Sequence, residues 1–254
     1  MSASAPPVPK VSVITPVRDS AATLAATVAS VRAQTCGDWE MHLVDDGSTD
    51  GSARLAADLA AADRRIILQG WPENRGAAAA RNAGIRAARG RYVAFLDSDD
   101  LWHPEKLAVQ IGYMEATGAA FTFAAIERID AAGRVLGRSA VPARIDHAGL
   151  LRRNVIPCQT AVYDRAHYGA VEMPPLWRRQ DYGLWLALLR QGGEAHGIDR
   201  VLASWRMRPG SLSANKLKAA AGTWQVYREA EGMGRSRAAW YLARNLGFAA
   251  LRRL

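Results

Sequence analysis

The first hundred residues alternate short apolar runs with longer segments of helical periodicity, and this alternation restricts the fold more than any other feature of the chain. Residues 11–15, 41–44, 66–68 and 92–96 are predicted to form buried strands. A strand that is followed by a helix and then by another strand of the same sheet pairs in parallel, through a right-handed crossover. The sequence therefore predicts an α/β fold.

The segments between these strands have the features of helices. Asp19 and Ser20 are residue types that cap a helix, and apolar residues recur every three or four positions after them. The alanine-rich residues 76–88 favour a helix on propensity, and Pro104 suits the first turn of another. These helices supply the crossovers that parallel strands need.

Beyond residue 119 the pattern changes. Residues 121–129 and 134–138 flank a turn, which predicts an antiparallel hairpin. Residues 158–163 and 201–206 are also strand-like, and residues 181–190 have one apolar helical face. The predicted sheet is therefore mixed, with its parallel part in the first half of the chain.

Composition excludes several classes of protein. The chain has 254 residues, 49% of them hydrophobic and 22% charged, so it can bury a core without disulfides. Its two cysteines, Cys36 and Cys158, are too few for a four-cysteine zinc site, and this usage suits a reducing cytoplasm. No run of 18 apolar residues occurs, which argues against a membrane span. We expect a cytoplasmic protein.

The net charge of +9 is concentrated late in the chain. Residues 1–100 carry 11 Lys and Arg against 12 Asp and Glu, whereas residues 101–254 carry 22 against 12. Such a surface meets nucleic acid, an anionic membrane or an acidic substrate, or is only solvated. No nucleic-acid recognition motif occurs, so nucleic acid is not expected as a partner. Residues 235–254 mix five arginines with apolar residues without separating them on a helical wheel, so packing on the domain or on a second subunit competes with peripheral membrane contact.

Acidic side chains follow two of the predicted strands. Asp45 and Asp46 end the second strand, and Asp97, Asp99 and Asp100 follow the fourth. The carboxyl ends of parallel strands share one edge of a sheet, where α/β proteins bind ligands. One Asp there often only caps the next helix, but two acidic strand ends suit Mg²⁺ or Mn²⁺ shared with substrate phosphates. A phosphorylated substrate is therefore expected.

Missing glycine motifs exclude two common classes of nucleotide-binding enzyme. Residues 15–20 contain no glycine, so the dinucleotide fingerprint is absent after the first strand. The chain has no Gly-Lys-Ser or Gly-Lys-Thr sequence, so it has no P-loop. Neither a hydride-transfer enzyme nor a P-loop enzyme is expected.

Four motifs occur in order along residues 10–110. They are VSVITPV from residue 11, VDDGSTDG from residue 44, NRG and ARNAG between residues 74 and 84, and FLDSDD from residue 95. Together with Trp102 and Pro104 they resemble the family-2 inverting glycosyltransferases, and the resemblance continues more weakly over 155–215. It implies a single A-type glycosyltransferase domain, with a mixed, mainly parallel central sheet flanked by helices and a helical C-terminal extension.

The resemblance also divides the chain. It implies a nucleotide-sugar-binding half at residues 10–118 and an acceptor-binding half of the same domain at residues 119–213. Residues 1–9 are expected to be a disordered tail, and residues 214–254 a helical extension.

The donor-binding residues follow from the same resemblance. Thr15 and Pro16 match the loop that lies along the nucleotide. Asp46, with Asp45 beside it, matches the residue that hydrogen-bonds a uracil-type base. Arg81 matches a basic residue near the diphosphate.

Asp97 and Asp99 match the Asp-x-Asp motif of the family. In that motif Mg²⁺ or Mn²⁺ bridges the two phosphates and takes up charge as the leaving group departs. Arg208 stands where His often completes the metal site, and arginine pairs with phosphate oxygens but does not ligate a metal. We predict weaker metal binding, compensated by contacts from Arg208 to the diphosphate.

Residues 179–185 resemble the acidic pair that opens a helix in the family. Asp181 matches the general base that deprotonates the acceptor hydroxyl, although a carboxylate at this place also suits a simple helix cap. Gln180 stands where Glu is common, which predicts altered acceptor contacts rather than lost activity. Trp177 is placed to stack on a sugar ring of the acceptor.

These assignments predict an inverting, metal-dependent glycosyltransferase. It would move a sugar from a UDP-linked donor to a glycan or lipid-linked acceptor in cell-surface polysaccharide assembly.

Two alternatives remain open. A nucleotidyltransferase would release pyrophosphate instead of a nucleoside diphosphate, and it normally has a glycine- and lysine-rich signature that is missing here. A non-catalytic nucleotide-sugar-binding protein, suggested by Gln180 and Arg208, would show no turnover.

Overall fold

A ten-stranded sheet runs through the residues that the computed structural model describes, 8–207 and 216–251. Its strands in chain order are β1 Val11–Val17, β2 Trp39–Asp46, β3 Ile66–Trp71, β4 Tyr92–Phe95, β5 Leu101–Trp102, β6 Phe121–Ile129, β7 Val135–Ser139, β8 Arg144–Ile145, β9 Val162–Asp164 and β10 Ala195–Arg206. Their order across the sheet is β3-β2-β1-β4-β9-β6-β10-β5, with β7 paired to β6 and β8 paired to β10.

The pairing directions confirm the predicted fold class. Strands β3, β2, β1 and β4 are parallel neighbours, as the alternation of strands and helices requires. Strand β9 is antiparallel to both β4 and β6, and β7 completes the predicted hairpin with β6. Strand β10 returns parallel to β6, so the α/β sheet is mixed.

Helices cover both faces of the sheet. Those described are α1 Leu24–Arg32, α2 Ser52–Ala62, α3 Ala77–Ala87, α4 Lys106–Thr117, α5 His147–Arg152, α6 Arg165–Tyr168, α7 Gln180–Arg190, α8 Lys216–Gln225 and α9 Arg235–Leu251. A π-helical turn at Val226–Ala230 follows α8. None of the described helices is long and apolar enough to cross a membrane.

Strands β1 and β2 run further than their apolar cores predict. Thr15 and Pro16 lie within β1, and Asp45 and Asp46 are the last two residues of β2, so none of them lies in a loop after its strand. The parallel ladder continues to this end and places Pro16 opposite Val44. The polar side chains are therefore held by the sheet itself.

The strand predicted over residues 158–163 is wrong in its first half. Residues Cys158–Thr160 form a 3₁₀ turn, because the carbonyl of Pro157 accepts a hydrogen bond from the backbone N–H of Thr160 at 3.1 Å. Strand β9 begins only at Val162. The turn moves Cys158 out of the sheet.

The predicted helix cap at Asp19 and Ser20 is also wrong. Helix α1 begins at Leu24, and no side chain caps it. The carboxylate of Asp19 instead accepts the backbone N–H of Thr49 at 2.8 Å, and the N–H of Ser20 donates to Ser52 Oγ at 2.8 Å. These bonds fasten together the two loops that follow β1 and β2.

Apolar cores lie on the two faces of the sheet. Successive residues of a strand point to opposite faces, and Val13 and Ile14 accordingly belong to different cores. The C-terminal segment contributes Tyr227 and Ala238 to the core that contains Ile14. Tyr227 Oη also donates to the carbonyl of Leu151 at 2.7 Å, so this segment is packed into the domain.

Gly84 marks the close approach of α3 to β1. A Cβ atom at Gly84 would lie 2.6 Å from Cγ2 of the buried Ile14. Gly84→Ala is therefore expected to lower the free energy of unfolding by about 1–3 kcal/mol, measured by chemical denaturation. Gly112→Ala is the matched control, since Gly112 is exposed in α4 with nothing within 4 Å, and it is expected to raise stability by about 0.5–1 kcal/mol. Equal stabilities of the two variants would contradict this packing.

Glu40 couples folding stability to pH. Burial alone raises its pKa, but hydrogen bonds from His42, Arg89 and Ser12 outweigh burial and lower the pKa from 4.5 to about 2. Because the folded state has the lower pKa, the stabilisation is complete above about pH 4.5 and is lost as the pH falls toward 2. Glu40→Gln should cost about 2 kcal/mol at pH 7 and clearly less at acidic pH, by urea denaturation. The exposed Glu115→Gln is the control, and a pH-independent loss in Glu40→Gln would refute the coupling.

Candidate active site

The candidate site lies at the carboxyl ends of β2, β1 and β4, which are adjacent because these strands are parallel neighbours. Helix α1 holds the acidic loop that follows β4. Thr23 Oγ1 donates to the carbonyl of Ser98 at 2.9 Å, and Thr27 Oγ1 donates to the carbonyl of Asp100 at 3.0 Å. The loop is thereby fixed beside the ends of β1 and β2.

Arg81 of α3 is the buried cation of the site. Only 6% of the residue is exposed, and its Nη2 donates to Asp97 Oδ1. Burial alone would lower the pKa of the guanidinium, but Asp97, with a smaller contribution from Asp181, raises that pKa above its ordinary value. Nε and Nη1 of Arg81 are buried and have no hydrogen-bond partner. The site therefore contains two guanidinium nitrogens without a hydrogen-bond acceptor, which an anion would supply.

Asp100 shows how strongly the negative charges of the acidic loop oppose one another. Burial raises its pKa well above the ordinary value, and Asp97 and Asp99 raise it further, while a bond from the N–H of Arg206 opposes them. That bond is 2.9 Å long, and Arg206 Nε also donates to the carbonyl of Asp99 at 3.1 Å. Strand β10 thus holds a loop whose charge favours a cation.

The acidic loop fits a hard divalent cation that is completed by a ligand. The side chains of Asp97 and Asp99 are partly exposed, and carboxylate oxygens are the donors that Mg²⁺ and Mn²⁺ prefer. Within residues 8–207 and 216–251, no three Asp, Glu, His or Cys side chains are arranged to hold an ion by themselves. Mg²⁺ typically binds one or two carboxylates and takes its other ligands from water and phosphates, so the two carboxylates suffice.

Cys158 lies where the charged groups of the site meet. Burial raises the pKa of its thiol well above the ordinary value; Arg81 opposes this, and Asp97, Asp181 and Asp100 add to it. The charge of Asp181, at the start of α7, thus acts on both Cys158 and Arg81. Cys158 was not predicted to lie in the site, because a single cysteine outside any motif gives no functional signal in the sequence.

The carboxylate of Asp46 accepts hydrogen bonds mainly from other residues of the chain. Its Oδ1 accepts Trp71 Nε1 and the N–H of Arg75, both at 2.7 Å, and its Oδ2 accepts the N–H of Gly76 at 2.9 Å. A carboxylate has about four acceptor positions, so one remains for a nucleotide base. The predicted base contact stays a prediction. The structure adds that Asp46 shapes the loop of the NRG motif, a partnership that the sequence analysis missed.

Two further donor-side residues have unsatisfied buried atoms. Thr15 Oγ1 and Asp45 Oδ1 are buried without a hydrogen-bond partner. Asp45 Oδ2 accepts the N–H of Ser48 at 3.3 Å, which orients that carboxylate. Unpaired buried polar atoms are costly, and these two lie near the carboxyl ends of β1 and β2, beside the acidic loop. Pro16 lies beside Thr15 and is half-buried.

The acceptor-side predictions are placed on one continuous segment. Asn82 Nδ2 donates to the carbonyl of Met173 at 2.9 Å, and its Oδ1 accepts the N–H of Met173 at 2.8 Å, which ties this segment to α3. Trp177 is 72% exposed and lies over Gly76, beside a groove of about 310 Å³ between α3 and residues 175–177. Gln180 is buried and begins α7, one residue before Asp181.

The predicted site residues are thus only partly brought together. Arg81 and Asp97 form an ion pair, and the charge of Asp181 also contributes to the raised pKa of Arg81, whereas Trp177 lies toward the loop that Asp46 holds. Arg208 lies outside the described residues, so its predicted contact with a diphosphate stays a prediction.

Comparisons with known proteins agree with this architecture. The family model described as Glycosyl transferase family 2 matches residues 12–165. The chain is 40% identical to the putative teichuronic acid biosynthesis glycosyltransferase TuaG of Bacillus subtilis, over 91% of this chain and 92% of TuaG. It is 33% identical to the Escherichia coli UDP-Glc:alpha-D-GlcNAc-diphosphoundecaprenol beta-1,3-glucosyltransferase WfgD, over 85% and 84% of the two chains.

A solved structure shares the fold. The mannosyltransferase PcManGT of Pyrobaculum calidifontis, in complex with GDP-Man and Mn²⁺, superimposes with a TM-score of 0.71 at 20% identity. The match covers 92% of this chain and 70% of PcManGT. At this identity the likeness establishes the fold alone.

Proposed function

This chain belongs to glycosyl transferase family 2, and on that basis we propose that it transfers a sugar from a UDP-linked donor to an acceptor hydroxyl with inversion at the anomeric carbon. The observation that carries the proposal is that Arg81 is paired with Asp97 and also interacts electrostatically with Asp181. They come from α3, the loop after β4 and the start of α7, yet the charges of Asp97 and Asp181 both act on the buried Arg81. This interaction supports the proposal that Asp181 is a base beside an anion-binding group.

The donor half of the proposal uses residues 10–118. Nε and Nη1 of Arg81, which have no partner within the chain, are proposed to donate hydrogen bonds to the diphosphate oxygens. Thr15 Oγ1 and Asp45 Oδ1 are proposed to contact the nucleoside. Asp97 and Asp99 would hold Mg²⁺ or Mn²⁺, which when bound neutralises charge on the departing diphosphate. Arg208 is proposed to add a further contact to the diphosphate.

Asp181 is the proposed general base. Its carboxylate accepts the proton of the acceptor hydroxyl while that oxygen attacks the anomeric carbon from the face opposite the diphosphate. The bond from the anomeric carbon to the diphosphate oxygen breaks in the same displacement, so UDP leaves and the configuration inverts. A positioned base contributes about 10²–10⁴-fold to such a reaction.

The acceptor half is proposed to comprise residues 119–213, with Trp177 and Gln180 on the acceptor side. The similarity to TuaG and to WfgD supports a glycan or lipid-linked acceptor and a role in cell-surface polysaccharide assembly. Because such an acceptor is held in a membrane, the proposal includes peripheral contact of the enzyme with an anionic bilayer.

Thermal-shift measurements with UDP, UDP-glucose and GDP-mannose, each with and without Mn²⁺, test the donor class. We expect the UDP-linked compounds to raise Tm most, and Mn²⁺ to increase the effect, because only bound ligand stabilises the folded state. A product assay with lipid-linked acceptors then distinguishes the reaction. Release of UDP supports the proposal, release of pyrophosphate favours a nucleotidyltransferase, and binding without turnover on any acceptor favours a non-catalytic protein.

A further inference from the structure

Helix α9 turns a basic and aromatic face away from the domain. Ala238, Tyr241, Leu242 and Asn245, spaced as one stripe of a helix, are the residues at least partly buried in its first three turns. The exposed residues include Arg235, Arg237, Trp240, Arg244 and Leu246, with Trp240 50% and Leu246 48% exposed. Apolar and basic residues are mixed on the helical wheel because the domain buries only this stripe, and the remaining apolar residues of α9 stay exposed among the arginines. Arg237, Trp240 and Arg244, spaced three and four residues apart, lie on one side of the helix, and we call these three residues the α9 face.

The charge of the α9 face is not neutralised nearby. Residues 216–254 carry eight Lys and Arg against two Glu, so this part of the chain holds +6 of the total +9, and no acidic residue follows Glu231. The side chain of Glu231 is 5% exposed and is paired with Arg190 and His147, while Glu229 is exposed in the π-helical turn, six residues before α9 begins. Among the described residues, Arg235, Arg237 and Arg244 form no ion pair. Arg244 instead lies 4.9 Å from the ring centroid of Trp240.

From this combination we infer that the α9 face docks on a bilayer surface rich in anionic phospholipids. Arginines bind headgroup phosphates, and tryptophan favours the boundary between headgroups and acyl chains. A second copy of the chain fits less well, since a symmetric contact between two α9 faces would oppose arginine to arginine, and like charges across an interface are costly. The inference rests on the proposed function only in that a lipid-linked acceptor gives the docking its purpose.

Sedimentation of the full chain with lipid vesicles tests the docking, without donor or acceptor present. We expect binding to phosphatidylcholine vesicles that contain phosphatidylglycerol, none to pure phosphatidylcholine, and release by high salt. Arg237→Gln/Arg244→Gln should lower the partition coefficient by roughly 25-fold, about fivefold for each arginine at the surface. Arg54→Gln/Arg64→Gln is the matched control, because both arginines are exposed and the change in net charge is the same. Equal losses in the two double variants would overturn the assignment to α9.

The apolar part of the α9 face has its own pair of variants. Trp240→Ala should weaken vesicle binding several-fold, whereas Leu136→Ala, at an exposed apolar position of β7, should not. Equal binding to neutral vesicles, or a dimer in solution that Trp240→Ala dissociates, would overturn the inference, and so would DNA binding in place of vesicle binding. UDP release on a detergent-solubilised acceptor is measured separately. If the parent chain binds vesicles but releases no UDP with this acceptor, only the proposed function is contradicted.

Discussion

Asp181→Asn is expected to lower the turnover of sugar transfer by about 10²–10⁴-fold while the affinity for UDP and for the donor stays nearly unchanged. Asparagine has almost the same shape as aspartate but does not accept the proton of the acceptor hydroxyl. The diphosphate contacts should survive, because Arg81 forms its hydrogen bond with Asp97 and not with Asp181. UDP release under saturating donor gives the turnover, and calorimetry with UDP gives the affinity.

The control for this substitution is Asp199→Asn. Asp199 is an exposed carboxylate paired with Arg138 at 2.8 Å, and it lies on β10 away from the acidic loop. Its replacement removes the same charge and should leave turnover within about twofold of the parent chain, since exposed ion pairs contribute little. Normal turnover in Asp181→Asn would remove the proposed base. A parallel fall in UDP affinity would instead assign Asp181 to donor binding.

The parts of the fold that local pattern carries could be predicted from the sequence. The runs around Val13 and Ala94 are strongly apolar and separated by helical periodicity, so the parallel direction of β1 and β4 follows from general rules of connection, although their being neighbours does not. Helices α5 and α6 span six and four residues, too few for a periodic signal. The turn at Cys158 depends on the path of the chain after Pro157, and the β-like composition of residues 158–163 conceals it.

For the candidate site, the sequence predicts where the acidic residues lie in the sheet but not their side-chain partners. Because the carboxyl ends of parallel strands share one edge of a sheet, the sequence predicts Asp46 and Asp97 at that edge, and both lie there. It does not predict that Trp71, Arg75 and Gly76 occupy most of the Asp46 carboxylate, because those bonds join residues 25 to 30 positions apart. Side-chain partners across such separations are set by packing, for which a single sequence gives no local signal.

Arg81→Met is expected to weaken UDP binding by about 10–100-fold when Mn²⁺ is absent, because two charge-assisted hydrogen bonds to the diphosphate are lost. Methionine fills a similar volume, so the packing of α3 is largely kept. The side chain of Asp97 is 33% exposed, so water can replace its bond from Arg81. Calorimetric titration with UDP measures the effect.

The same titration with Mn²⁺ separates the role of Arg81 from that of the acidic loop. Removing the guanidinium leaves Asp97, Asp99 and Asp100 with less compensating charge, so a divalent cation is attracted more strongly and should restore part of the lost UDP affinity. Asp99→Asn should show the opposite pattern, with UDP affinity nearly normal without Mn²⁺ and little gain when it is added. The exposed Arg64→Met serves as the control for loss of one positive charge. If Arg81→Met binds UDP as tightly as the parent chain under both conditions, the diphosphate does not lie at Arg81 and the proposed donor site is wrong.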